Sequence, residues 1–137
     1  MGKLIVKRGS IVLIRYPFTD SSGTKVRPAL ILSPDLLLRR LSDVLCLFIS
    51  STVPQKDELL PTDFILEMNH PSFLKTGLKS RSVYRSHKLA LLNKSLVLRV
   101  LGEINHLMMD EIDKRLCIAL GLTDYIMSRG KTDGTLV

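Results

Sequence analysis

The feature that most limits what this chain can fold into is its longest uninterrupted apolar run. That run, Val44-Leu45-Cys46-Leu47-Phe48-Ile49, is only six residues long and sits between Asp43 and Ser50. A helix that crosses a bilayer needs roughly 20 apolar residues, so no membrane span is expected. Six residues is instead the length of a strand buried on both faces. The same punctuation recurs elsewhere. Ile11-Val12-Leu13-Ile14 runs out at Arg15, Tyr16 and Pro17, and Ala29-Leu30-Ile31-Leu32 lies between Pro28 and Pro34.

Pattern and turn chemistry predict strands over Ser10–Tyr16, Pro28–Leu32, Asp43–Ser50, Asp63–Glu67 and Ser82–Leu89. Between the first two, Thr19–Lys25 is wholly polar or turn-forming and reads as a loop. Leu36–Leu41 reads as a helical turn or a loop, and Ser51–Thr62, with Pro54 and Pro61, as a long connection. A helical turn around Pro71–Lys75 should stop at Gly77. Ser95–Val100 is either a strand or the lead-in to the last helix. That helix is the best marked element: Asn105 can cap it, and Met108, Ile112, Leu116 and Ala119/Leu120 share one face. Asp110, Glu111 and Asp113 lie in its N-terminal half, and Gly121 supplies the stop. Short strands closed by one C-terminal amphipathic helix predict an α+β fold on a small, curled antiparallel sheet. A single domain is expected over residues 1–124, with 125–137 a flexible tail.

An apolar fraction of 45% is enough to exclude disorder along the whole length. Lys3, Lys7, Arg8 and Arg15 interrupt every candidate signal-peptide core, so a cytoplasmic protein is expected. Cys46 and Cys117, 71 positions apart inside apolar stretches, are expected to be reduced core residues. No His, Cys and Asp pattern with ligand spacing occurs, so neither a metal nor another cofactor is expected.

Charge narrows the function. Twenty Lys and Arg against 13 Asp and Glu give +7, and the excess is uneven. Residues 75–99 carry Lys75, Lys79, Arg81, Arg85, Lys88, Lys94 and Arg99 without one acid, whereas the sign reverses from residue 100 onward. A basic cluster confined to part of one domain points to a polyanion, either nucleic acid or an acidic protein.

Three stretches then carry a likeness: Lys7-Arg8-Gly9-Ser10-Ile11-Val12-Leu13-Ile14, Pro17-Phe18-Thr19-Asp20, and Arg27-Pro28-Ala29-Leu30-Ile31-Leu32-Ser33. In this order they resemble the opening of the MazF/PemK toxin family, in which an "RGD" strand and a polar loop precede Arg-Pro and an apolar strand. The likeness continues through Asp43–Ser50 and through Leu101-Gly102-Glu103-Ile104 into the last helix, covering about residues 7–122. It implies an SH3-like barrel with a C-terminal helix, assembled as a homodimer. It also implies the toxin of a toxin–antitoxin system, paired with an acidic antitoxin protein. The implied activity is a metal-independent, sequence-selective endoribonuclease acting on single-stranded RNA or mRNA.

The resemblance assigns catalysis to Arg27 and Ser50. Cleavage that uses the substrate's own 2′-hydroxyl needs a group that grips phosphate and neutralises its charge, which suits an arginine. Ser50, where the family commonly has threonine, could donate to a phosphate oxygen; without the family both residues read as ordinary strand-edge groups, with Ser50 a strand-end cap. Ser51 and Thr52 are its neighbours in case the register differs by one. Phe18, Asp20, Thr24, Lys25, Ser51, Arg85 and Lys88 are the expected substrate-binding residues. Phe18 and Tyr84 are the candidate base-stacking aromatics. Two positions depart from the family: Ser22 stands where several members have glutamate, and Ser10 replaces the usual aspartate. The three histidines, His70, His87 and His106, show no catalytic pairing, and His87 reads as a surface or RNA-contacting group. Two other classes stay open, a non-catalytic RNA- or antitoxin-binding homologue and a gyrase-inhibiting protein toxin of the CcdB type.

Overall fold

Six strands build the sheet: β1 (Ser10–Tyr16), β2 (Lys25–Ile31), β3 (Asp43–Ser50), β4 (Asp63–Leu66), β5 (Ser82–Asn93) and β6 (Val97–Glu103). They are antiparallel throughout and ordered β4-β5-β3-β2-β1-β6. Helix α1 (Asp35–Arg40) joins β2 to β3, and α2 (His106–Ala119) follows β6. This computed structural model describes residues 5–17 and 25–122. The expectations for Phe18, Asp20, Ser22, Thr24 and the tail over 125–137 lie outside the described residues. Among those described, no helix is long and apolar enough to cross a membrane.

The strands are apolar on both faces because the sheet has a core on each side. Register places Ile11, Leu30 and Leu47 side by side on one face, where they join Ile49, Tyr84 and the Met108, Met109 and Ile112 side chains of α2. On the other face Val12, Ala29, Ile31, Cys46 and Val44 pack with Leu38 of α1. Each fully buried Ile or Leu contributes about 1.5–3 kcal/mol, so both cores are needed to hold a sheet this small.

Most boundaries follow the sequence expectations, and the departures have local reasons. β2 starts at Lys25, three residues before Pro28, because β1 templates its first half. Pairing with β3 begins only at Ala29, so Pro28 interrupts no ladder on that side. β5 extends to Asn93 by pairing along β3. The ambiguous segment near residue 95 splits into a 3₁₀ turn, Lys94–Leu96, and strand β6. The Asn93 side chain accepts from the Ser95 N–H at 2.9 Å and holds that turn. Asn105 caps α2 as expected, accepting from Met108 N–H at 2.9 Å. The buried stripe of α2 is Met108, Met109 and Ile112, while Leu120 at its end is exposed. Both cysteines are free; Cys46 is buried, its thiol pushed up to about 12 by desolvation, but Cys117 is only half-buried and not a core residue.

One irregularity positions the site. Ile49 pairs with Tyr84 and Leu47 with Leu89, so Phe48 alone faces the β5 segment Arg85-Ser86-His87-Lys88. A bulge of this kind bends its strand and re-aims side chains that regular pairing would send elsewhere.

Candidate functional site

Alternation along β2 and β3 sends Arg27 and Ser50 to the same face as Ala29 and Phe48. The bulge in β5 brings Arg85 and Lys88 to it. Together with Tyr16 at the end of β1 and with Ile49, these residues line an open cleft of about 200 Å³. Four of the expected site residues, Arg27, Ser50, Arg85 and Lys88, are therefore gathered in one place from three strands. Lys25 and Ser51 are exposed beside it but do not line it; Lys25 stands opposite Tyr16 in the β1–β2 ladder.

Arg27 is exposed, and its Cζ lies 5.6 Å from the centre of the Tyr16 ring. That ring meets Phe48 edge-on, with centroids 4.9 Å apart and planes at 85°. An aromatic face under a guanidinium limits its excursions without consuming its N–H donors. No carboxylate among the described residues pairs with Arg27.

Ser50 ends β3 in a tight turn, where its Oγ accepts from Thr52 N–H at 3.0 Å. Its own proton has only a 3.5 Å contact to the Thr52 carbonyl, which is weak. The strand-end capping role and a donor role toward a ligand are therefore compatible in this hydroxyl.

Arg85 is held differently. Its Nε donates to Asp63 Oδ1 at 2.8 Å and its Nη2 to Oδ2 at 3.1 Å. The Asp63 side chain is 0% exposed and that of Arg85 22%. Burial works to raise the Asp63 carboxyl, but hydrogen bonds from Arg85 and from Leu60 N–H, with the charges of Arg85 and His87, hold it below the usual range. His87, one residue before Lys88, meets Thr62 Oγ1 through Nδ1 at 2.6 Å and does not line the cleft.

The structure reassigns the aromatics. Tyr84, expected as a base-stacking surface, is fully buried against Phe64 with centroids 5.9 Å apart, and desolvation raises its phenol. It belongs to the core because the register opposite Ile49 turns it toward α2. Tyr16 and Phe48, which sequence reasoning did not single out, are the rings of the cleft. Only register shows that Tyr16 ends β1 on the Arg27 face and that Phe48 follows it across β2. Asp63 was also missed, since it reads as a strand start and gains its role from a partner 22 residues away.

Among the described residues no group of three His, Cys, Asp or Glu side chains could hold a metal ion. What the cleft offers is cationic and aromatic: two guanidiniums, one ammonium, a hydroxyl and two rings. Such a set can grip phosphates of an extended strand and contact its bases.

A family model described as PemK-like, MazF-like toxin of type II toxin-antitoxin systems matches residues 7–120. No curated protein matches the chain significantly by sequence. Among solved structures, an endoribonuclease in complex with its cognate antitoxin from a mycobacterial species aligns with TM-score 0.67 at 21% identity, covering 86% of this chain and 97% of that one. The MazE–MazF structure (Form II) from Deinococcus radiodurans aligns with TM-score 0.68 at 18% identity, covering 88% and 100%. The Mycobacterium tuberculosis toxin MazF-mt6 gives TM-score 0.65 at 19% identity, covering 82% and 97%. At these identities the likeness establishes the fold: an antiparallel sheet followed by a C-terminal helix.

Proposed function

Because the chain belongs to the PemK-like, MazF-like toxin family of type II toxin-antitoxin systems, we propose that its cleft cuts single-stranded RNA without a metal. The observation that carries the reading is the Arg27 guanidinium, paired with no carboxylate among the described residues, over Tyr16 and in one cleft with Ser50, Arg85 and Lys88. Arg27 grips two non-bridging oxygens of the scissile phosphate and offsets the charge that develops on them. The Ser50 hydroxyl donates a hydrogen bond to one of those oxygens. The adjacent 2′-hydroxyl attacks in line: the bond from O2′ to phosphorus forms, that from phosphorus to O5′ breaks, O2′ loses its proton and O5′ gains one. Lys88 and Arg85 hold neighbouring phosphates, while Tyr16 and Phe48 offer ring surface to a base. The matching family does not favour the gyrase-directed alternative.

The experiment is a digest of single-stranded RNA in EDTA. The expected products carry a 2′,3′-cyclic phosphate on one side of the cut and a 5′-hydroxyl on the other, and deoxyribose at the cut abolishes reaction. Activity that vanishes in EDTA removes the metal-free mechanism. Absence of cleavage on every RNA tried leaves the non-catalytic binding homologue in its place.

The same reading makes the protein a cytoplasmic homodimer that an acidic antitoxin segment silences by covering the basic cleft. Leu107 and Ile118 on one side of α2, and Leu120 and Leu122 just beyond its end, are exposed apolar residues that a second copy would cover. Sedimentation at micromolar concentration is expected to give a dimer. A stable monomer there removes this part of the reading.

A further inference from the structure

We propose that Asp63 is a positioning residue of the cleft, holding Arg85 by one edge of its guanidinium so that the free edge faces a second phosphate of the bound strand. The proposal deepens the reading above and rests on its polyanion-binding half, not on cleavage.

A carboxylate with no solvent exposure is expensive to keep charged, and here both of its oxygens accept hydrogen bonds. Oδ1 takes Arg85 Nε–H, and Oδ2 takes both Arg85 Nη2–H and Leu60 N–H. The Asp63 main chain is fixed as well, since its carbonyl accepts from Arg115 Nε of α2 at 3.0 Å. Asp63 is thus a rigid anchor, tied to the Leu60 turn and to the helix behind the sheet.

Arg85 sits between that anchor and the cleft. A guanidinium has five N–H donors in a planar fork, and binding through Nε and Nη2 uses two. The other three, on the Nη1 side and the outer Nη2 position, remain, and Arg85 is one of the residues that line the cleft. The fork can therefore chelate a carboxylate behind and a phosphate in front at once, which a lysine cannot do. Arg27 restrained by an aromatic ring and Arg85 restrained by a buried acid are two separately held cations on one cleft. Pre-organisation of this kind lowers the side-chain entropy lost on binding.

The test uses the whole chain and a 2′-deoxy single-stranded oligonucleotide, which binds without being cut, together with melting temperatures of each variant. Asp63→Asn keeps the size and the bond from Leu60 but removes the charge and one acceptor. It is expected to weaken binding about tenfold, the scale of one charge-assisted contact. The slope of log affinity against log salt should fall by about 0.7, the value for one phosphate contact on a single strand. Arg85→Lys should weaken binding similarly, and the double variant should bind no worse than Arg85→Lys alone, because both changes break one unit.

A purely structural Asp63 lowers the melting temperature of Asp63→Asn while leaving affinity and salt slope as in wild type; that result overturns the proposal. Should Asp63→Asn fail to fold, Arg85→Lys decides it: wild-type binding with a charge but no fork overturns the proposal too. Wild type that binds the oligonucleotide in the expected Asp63-dependent way yet cuts no RNA leaves the clamp standing and removes the nuclease. Wild type that cuts RNA while Asp63→Asn binds as tightly does the reverse.

Discussion

Arg27→Ala is expected to lower the rate of RNA cleavage about a hundredfold or more while leaving the fold intact. The side chain is exposed, and its one described contact is the 5.6 Å approach to the Tyr16 ring. Removing it should therefore change stability by no more than about 0.5–1 kcal/mol. In the transition state the same group faces a phosphate that carries additional charge, and losing a donor aimed at developing charge costs about 3 kcal/mol. At 1.36 kcal/mol per decade that is two orders of magnitude. Ser50→Ala should cost less, about tenfold, because a neutral hydroxyl contributes less than a cation. Single-turnover cleavage measured beside thermal melts separates the two effects. Arg27→Ala that cuts within a few-fold of wild type removes Arg27 from the mechanism.

Gly77→Ala and Gly102→Ala are expected to be the most damaging small substitutions in the chain. The 3₁₀ turn Leu74–Thr76 packs its backbone directly onto β6, and the two glycines are where the chains touch. A Cβ on Gly77 would lie 2.1 Å from the Leu101 carbonyl oxygen, and one on Gly102 would lie 2.1 Å from that of Lys75. Both obstacles are backbone, so neither can swing aside. Gly77 also has φ of 73°, which adds a penalty of about 1–2 kcal/mol for any L side chain. Overpacking costs typically 1–3 kcal/mol even where side chains can yield, so about 3 kcal/mol or more is expected at each site. Gly121 provides the comparison, since it has the same φ of 73° with nothing within 4 Å of its Cβ position. Gly121→Ala should lose only about 1 kcal/mol. Denaturant titrations of the three variants test this, and equal losses at Gly77 and Gly121 would show that the turn and β6 separate freely.

The strands and the capped final helix were legible because their causes are local. A six-residue apolar run between Asp43 and Ser50 has few alternatives to a buried strand, and Asn105 three residues before Met108 is a cap in any context. Arg27 and Ser50 became candidates only through the family resemblance, which marks one by Arg-Pro and the other by the end of the apolar run, and the fold places both on one cleft. The segment around residue 95 was not legible, since its choice between strand and helix lead-in depended on whether β1 was there to pair with it.

The amino-acid sequence by itself determined five of the six strands, the α2 cap and the basic middle of the chain. These follow from periodicity, propensity and charge, which act over a few residues. Only the tertiary structure decided that Tyr16 and Phe48 face the cleft while Tyr84 faces the core, that four residues of β5 bulge across Phe48, and that Arg85 is locked to Asp63. A strand's side chains alternate, so one residue of register exchanges cleft for core at every position. Register is set by pairing between segments far apart in the chain, and no local pattern carries it.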